Sequence, residues 1–164
     1  DAAQLTEAFR DKQAVKLYWA LVMGVPDNPI GTIDLPLGKR KQDGGVEKMS
    51  VVIDEDDGQD ALTHYRVVQS YGGRLSWLEL RPVTGRTQAI GHPIYGDGKY
   101  AGQAAFVNQP EIDKQLHLHA RYLEINRGAY RVRAIAQLPW HMMNSWETLG
   151  FNMVDDGVSL LELM

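Results

Sequence analysis

The sequence contains no cysteine, and it has no long apolar run. Without thiols, the chain can form neither a disulfide framework nor a thiolate metal site. No stretch approaches the roughly 20 apolar residues that a membrane-spanning helix needs. No secretory signal pattern is present either. These absences favour a cytoplasmic protein.

An excess of basic charge is also missing. Lys and Arg number 17 against 21 Asp and Glu, for a formal net charge of -4. A general nucleic-acid coat usually needs a basic surface, so that class is disfavoured. Locally arranged charge still permits an enzyme that acts on RNA. The 164 residues, 44% hydrophobic and 23% charged, have the length and composition of one globular domain.

Strands dominate the secondary structure that the sequence predicts. Aromatic and branched residues in short runs predict strands, and Gly72-Gly73 and Asn126-Arg127-Gly128 predict hairpin turns. The strands are predicted at 16–25, 31–41, 49–53, 64–71, 74–81, 116–125 and 129–135. The fold class that follows is α+β, with a mixed, mainly antiparallel sheet and flanking helices.

Two helices are predicted, at 2–12 and 140–149. The second carries Trp140, Met143 and Trp146 at spacings of three, which suggests one apolar stripe. The acidic segment at 54–60 is predicted to be a solvated turn, because it lacks the spacing of a calcium loop.

Three candidate sites are less specific. His117 and His119 share one face of a predicted strand, and His92 and Asp97 could complete a metal site. Packing and backbone hydrogen bonds are the favoured interpretation of these histidines. Gly96 and Gly98 open no clear helix, so a phosphate-binding loop is a weak prediction. Tyr18 lies opposite Leu17, Trp19 and Leu21 in its strand; it is a structural tyrosine by default, with base stacking as the alternative.

Five segments resemble the motifs of one enzyme family, and they occur in the family's order. The first, at 16–25, reads KLYWALVMGV and resembles K-x-Y-x-A-x-V-x-G. Those at 58–68 and 78–87, GQDALTHYRVV and LELRPVTGRT, resemble G-K-x-A-x-T-x-Y-x-V and the start of L-x-P-x-T-G-R-T-H-Q-I-R. Those at 91–100 and 118–125, GHPIYGDGKY and LHARYLEI, resemble G-H-P-I-x-G-D-x-x-Y and L-H-A-x-x-L-x-F. The chain thus resembles the RluA-type pseudouridine synthases, which modify ribosomal RNA.

This resemblance implies a reaction and roles for individual residues. Tyr18 matches the active-site tyrosine, whose ring would stack on a flipped uridine and whose hydroxyl is a candidate proton acceptor. The resemblance further implies RNA contacts by Lys16, Arg86 and Thr87, and pocket lining by Leu118 and His119. The implied reaction needs no cofactor or metal. The implied partner is large-subunit ribosomal RNA, with no membrane involved, and the protein is expected to be a monomer.

The family pattern is interrupted between Thr87 and Gly91. Only Gln88, Ala89 and Ile90 separate them, whereas the family has a longer segment there that contains an arginine. Either a true deletion or a junction across an unseen loop explains this. The junction is favoured, because an odd deletion would reverse the side-chain faces of the following segment, yet both flanks match. It predicts a chain break between Thr87 and Ala89.

The family's nucleophilic aspartate also has no match. It belongs to an H-R-L-D-x-x-T-S-G motif expected upstream of 2–12, and the surroundings of Asp1 do not fit it. We therefore expect a single partial catalytic domain at 1–164, without that motif or an upstream S4-like domain, and inactive by itself. Two alternatives stay open: an RNA-binding module without catalysis, and a metal-dependent enzyme using His92, His117 and His119.

Overall fold

A computed structural model describes residues 14–41, 47–51, 59–83, 91–99, 101–106 and 111–153. These residues include a short 3-10 helix, Gly102–Ala105, and an α-helix, α1, at Trp140–Leu149. The strands are β1 (Ala14–Met23), β2 (Ile30–Lys41), β3 (Glu47–Val51), β4 (Gln59–Tyr71), β5 (Leu75–Pro82), β6 (Leu118–Arg127) and β7 (Tyr130–Ile135).

The strands form one seven-stranded sheet in the order β3-β2-β4-β5-β1-β6-β7. Every pairing between neighbours is antiparallel. This confirms the α+β class and the mainly antiparallel sheet. The register places β1 between β5 and β6, so the strand that carries Tyr18 lies inside the sheet.

Glycines make both predicted hairpins possible. Gly72 and Gly73 connect β4 to β5 with φ angles of 55° and 68°, and Gly128 connects β6 to β7 with a φ of 55°. Other residues adopt such positive angles at a cost, whereas glycine does so freely. Both hairpin predictions are confirmed, and each predicted strand overlaps an observed one.

The two faces of the sheet bury different apolar clusters. We call the side covered by α1 the helix face; there Leu21 and Trp77 pack with Met142 and Trp146. We call the other side the tyrosine face, because Tyr18 lies on it. Its buried cluster consists of Ala20, Val22, Tyr65, Leu78, Leu80 and Ile94. Successive residues of β1 alternate between these faces, as expected of a strand.

The helix at 140–149 is confirmed, but its predicted apolar stripe is wrong. Trp140 is 74% exposed and Met143 42%, and of the three predicted residues only Trp146 is buried. The buried stripe instead runs through Met142, Trp146 and Leu149. Spacings of four and three keep side chains on one side of a helix, whereas repeated spacings of three drift around it.

A bulge in β6 alters the alternation of its side chains. Leu17 pairs with Tyr122 and Tyr18 with Ala120, so Arg121 has no partner across the strand pair. The guanidinium carbon of Arg121 lies 4.3 Å from the centre of the Trp19 ring, on the helix face. Consequently Arg121 and Tyr122, although adjacent in sequence, both lie on that face.

Several predictions fall outside the described residues. These are the helix at 2–12, most of the acidic segment at 54–60, and the junction from Thr87 to Ala89. In the described part of the chain, no helix has the length and apolarity to cross a membrane.

Candidate active site

Tyr18 lies at the margin of the apolar cluster on the tyrosine face. In the sheet, Tyr18 pairs with Leu80 of β5 on one side and with Ala120 of β6 on the other. The side chain is half-buried and packs against the cluster. Because Ala20 and Val22 on the same face are fully buried, the apolar surface extends from Tyr18 toward the end of β1. An aromatic ring in this position can stack on a base while its hydroxyl remains near solvent.

Lys16 lies two residues before Tyr18 and therefore on the same face. It pairs with Leu123 of β6 and is half-buried. A lysine whose stem covers apolar surface can still hold its ammonium group toward solvent. The strand thus places one positive charge next to the candidate stacking residue.

The structure separates the two residues predicted to line the pocket. Leu118 packs against the cluster of the tyrosine face. His119 pairs with Trp19, and its Nε2 lies 3.2 Å from the carbonyl oxygen of Ala136, on the helix face. Tyr18, Lys16 and Leu118 are therefore brought together, whereas His119 points to the other side of the sheet. Arg86 and Thr87 lie outside the described residues.

The segment after the interrupted motif is fastened to the end of β1. Met23 N donates to the carbonyl of Pro93 at 2.8 Å, and Tyr95 N donates to that of Leu21 at 2.8 Å. Nδ1 of His92 lies 2.8 Å from the carbonyl oxygen of Met23. Any Cβ on Gly96 would collide with the carbonyl of Gln115. These contacts give the G-H-P-I-x-G-D motif a role in supporting the central strand.

His117 is a neutral, fully buried histidine. Its Nδ1 lies 2.6 Å from the carbonyl oxygen of Gln115, which can only accept, so Nδ1 carries the proton. In the neutral ring, Nε2 has no proton and accepts from the hydroxyl of Ser145 at 2.7 Å; the same hydroxyl lies 3.0 Å from the carbonyl oxygen of His141. Burial lowers the pKa of His117 from 6.5 to about 4. This bond joins the beginning of β6 to α1.

The predicted metal site lacks a ligand set within the described ranges. Each of His92, His117 and His119 contacts a backbone carbonyl. Among the described residues, no group of three or more His, Cys, Asp or Glu side chains could hold an ion. His117 was predicted on the strand but lies one residue before β6, and the contacts of His117 and His119 are those of packing residues.

Sequence reasoning missed a charged cluster at the β6–β7 hairpin. Glu124 is 5% exposed and accepts hydrogen bonds or ion pairs from four side chains, which are Tyr122, Asn126, Arg131 and Arg133. The signal was available: a hairpin centred on Asn126-Arg127-Gly128 places Arg133 opposite Glu124 and Arg131 opposite Asn126. Alternating polar residues on two paired strands predict such a cluster.

The chain is similar in sequence to known RNA pseudouridine synthases. The family model for RNA pseudouridylate synthase matches residues 2–90. An uncharacterised RNA pseudouridine synthase of Synechocystis is 36% identical over 140 residues, covering 80% of this chain and 41% of that protein. Ribosomal large subunit pseudouridine synthase C of Rickettsia prowazekii is 32% identical over 151 residues, covering 85% of this chain and 47% of that protein. The chain spans about half the length of these relatives.

A solved structure shares the fold. Human RNA pseudouridylate synthase domain containing 4 superposes with a TM-score of 0.69 at 27% identity, covering 93% of this chain and 68% of that one. The fold and the matched motifs define a domain of the pseudouridine synthase class, and the chain belongs to the RNA pseudouridylate synthase family. Within that family it is of the RluA type.

Proposed function

We propose that the protein containing this chain isomerises uridine to pseudouridine in large-subunit ribosomal RNA. The observation that carries the proposal is the position of Tyr18, half-buried beside an apolar cluster on the central strand, at the residue that matches the family's active-site tyrosine. The name of the Rickettsia relative supports the choice of ribosomal RNA. We further propose that the protein acts in the cytoplasm as a monomer.

In the proposed reaction, the target uridine leaves its stack and lies against the ring of Tyr18. The flanking side chains of Leu118 and Ala120 provide an apolar surface that keeps the freed base from escaping. Lys16 contacts a neighbouring phosphate, and we assign Arg86 and Thr87 to RNA contact on the motif match alone.

The chemistry is an exchange of one bond for another at the same sugar carbon. A carboxylate attacks or assists, the bond between N1 and C1′ breaks, the uracil rotates, and a bond forms between C5 and C1′. The proton on C5 must then leave and N1 must gain one, so that the product is an isomer of uridine; the hydroxyl oxygen of Tyr18 is the proposed acceptor of the C5 proton. No residue of this chain matches the family motif that supplies the carboxylate, so Tyr18 and Lys16 bind and position here.

The test is release of tritium from RNA labelled at C5 of uridine. It is run on the 164-residue chain and on the longest reading frame that contains it, with ribosomal and transfer RNA. We expect release only from the longer protein, and with large-subunit ribosomal RNA as the preferred substrate. Robust release by the 164 residues would place the nucleophile among them. No release by the longer protein on any of these RNAs would overturn the proposal and favour a binding module without catalysis.

A further inference from the structure

A groove with three arginines opens on the helix face, away from Tyr18. Its cavity has a volume of roughly 490 Å³, and its walls include Arg81, Arg131 and Arg133 with Glu124 among them. Arg81 comes from β5, and the other two come from β7, the edge strand of the sheet. We call this feature the arginine groove.

Glu124 fixes the two arginines of β7. Its carboxylate lies 2.8 Å from Nη2 of Arg131 and 2.9 Å from Nε of Arg133. Tyr122 donates a further hydrogen bond at 2.6 Å and Asn126 another at 3.0 Å. The carboxylate is held ionised, because the bonds from Arg131 and then Tyr122 lower the pKa of Glu124 to about 2. The arginines therefore have one preferred orientation before any ligand arrives.

The groove has more positive charge than Glu124 can neutralise. Glu124 occupies one nitrogen of the Arg131 guanidinium and one nitrogen of the Arg133 guanidinium, and these two side chains remain 56% and 54% exposed. Arg81 has no ion pair within the described part of the chain. Three arginines thus face one carboxylate in a chain whose net charge is -4. Guanidinium groups held in fixed positions suit the oxygens of phosphate.

The groove and the tyrosine-face site lie on opposite faces of the same strands. Leu80 pairs with Tyr18, and the next residue, Arg81, lines the groove. Lys16 lies beside Tyr18 on its face, and its neighbour Val15 lines the groove on the other. A nucleic acid that follows the edge of the sheet at β7 can therefore contact both faces.

The exposed residues of β7 fit such a path. Tyr130 is 78% exposed and Val132 62%, and their pairing with Arg127 and Ile125 places them on the tyrosine face. The intervening Arg131 points to the helix face. The edge strand thus presents an aromatic ring on one side, as in stacking platforms for single strands, and arginines on the other.

We propose that the arginine groove binds backbone phosphates of the RNA substrate, outside the site where the target base is held. This rests on the proposed function for the identity of the ligand. The groove then contributes affinity and orientation, and it takes no part in bond breaking.

The experiment measures binding of fluorescein-labelled large-subunit ribosomal RNA fragments by the full 164-residue chain across a salt series. Arg131→Gln with Arg133→Gln should weaken binding and lower the salt slope by about 0.7–0.9 for each phosphate that the variant no longer neutralises. Arg81→Gln should lower the salt slope by about 0.7–0.9, the value for one phosphate, and it leaves the partners of Glu124 in place. Arg74→Gln removes one charge from the exposed β4–β5 turn and should change neither quantity.

Two controls keep the outcome clear. Arg131→Lys with Arg133→Lys should keep the salt slope while losing part of the affinity, because the charge remains and the planar fork is removed. Thermal melts verify that each variant is folded. In the longer protein, the double glutamine variant should raise KM for tritium release and leave kcat unchanged.

The results separate this proposal from the function on which it rests. If the wild-type chain binds RNA and the folded groove variants bind with the same affinity and slope, the groove proposal is wrong and the synthase proposal is untouched. If the longer protein releases no tritium while the groove variants still lose affinity, the synthase proposal fails and the phosphate site stands. Failure of the wild type to bind RNA would overturn the groove proposal.

Discussion

The Nε2 atom of His117 lies 2.7 Å from the Oγ atom of Ser145, and this bond connects the start of β6 to α1. Neither side chain is exposed. Since the other ring nitrogen donates to Gln115, the neutral imidazole accepts this bond, whereas a protonated ring would donate it and would place a positive charge in a buried site. The packing of the helix on the sheet is therefore linked to pH.

We predict a loss of stability at mildly acidic pH. The pKa of His117 is about 4 in the fold and 6.5 ordinarily, so between these values the unfolded chain binds a proton that the folded chain does not. Stability is then full above pH 6.5 and falls with pH down to about 4, by roughly 3 kcal/mol in all. Urea denaturation at several pH values measures this.

A loss of stability above pH 4.5 reports on His117 and not on Glu124. The pKa of Glu124 is lowered from 4.5 to about 2, so its stabilisation is present above pH 4.5 and lost only below it. Ser145→Ala should reduce stability by about 1–3 kcal/mol throughout while keeping the decline. A wild-type free energy of unfolding that stays constant from pH 7 to 5 would contradict the prediction.

Replacing Tyr18 by Phe should separate stacking from proton transfer. The ring is kept, so RNA affinity should change little, whereas turnover should fall by about 10²–10⁴-fold if the hydroxyl takes the C5 proton. Tritium release and RNA binding are measured on the longer protein, with Tyr71→Phe, at the exposed end of β4, as the control. Equal turnover in Tyr18→Phe and wild type would remove the hydroxyl from the mechanism.

Loss of the positive charge at Lys16 should weaken RNA binding. Lys16→Gln is expected to lower the salt slope by about 0.7–0.9, the value for one phosphate contact. Lys114→Gln, at an exposed position in the segment before β6, gives the same charge change and should leave the slope unchanged. Arg86→Ala is predicted to behave like Lys16→Gln. Parallel salt plots for Lys16→Gln and Lys114→Gln would argue against the contact.

Gly96→Ala should destabilise the fold more than Gly102→Ala. Both glycines have positive φ angles, of 83° and 58°, so both variants incur the strain of that conformation. Only at Gly96 does the added methyl group also collide with backbone, at Gln115; around Gly102 the space is empty. We expect a difference of at least about 1 kcal/mol in urea denaturation. Equal losses of stability would show that strain alone sets the effect.

Much of the local structure could be predicted from sequence, because its causes are local. Branched and aromatic runs predicted the strands, and Gly72-Gly73 and Gly128 predicted the turns between them. Alternation within β1 correctly separated Tyr18 from Trp19 and Leu21. The helix at 140–149 was also predicted, although its buried stripe was not, since burial depends on what the helix packs against.

Tertiary structure decided which residues meet. The strands, the hairpins and the family motifs were predictable from the sequence. The strand order β5-β1-β6-β7 was not, and this order brings Arg81 close to Arg131 and Arg133, which lie far from it in the sequence. The same order, with its pairing of Trp19 and His119, turns His119 away from the tyrosine face although Leu118 lies on it. A strand's period of two gives the relative faces of its own residues. Which face holds the candidate site, and which is covered by α1, depends on pairing and packing between distant segments.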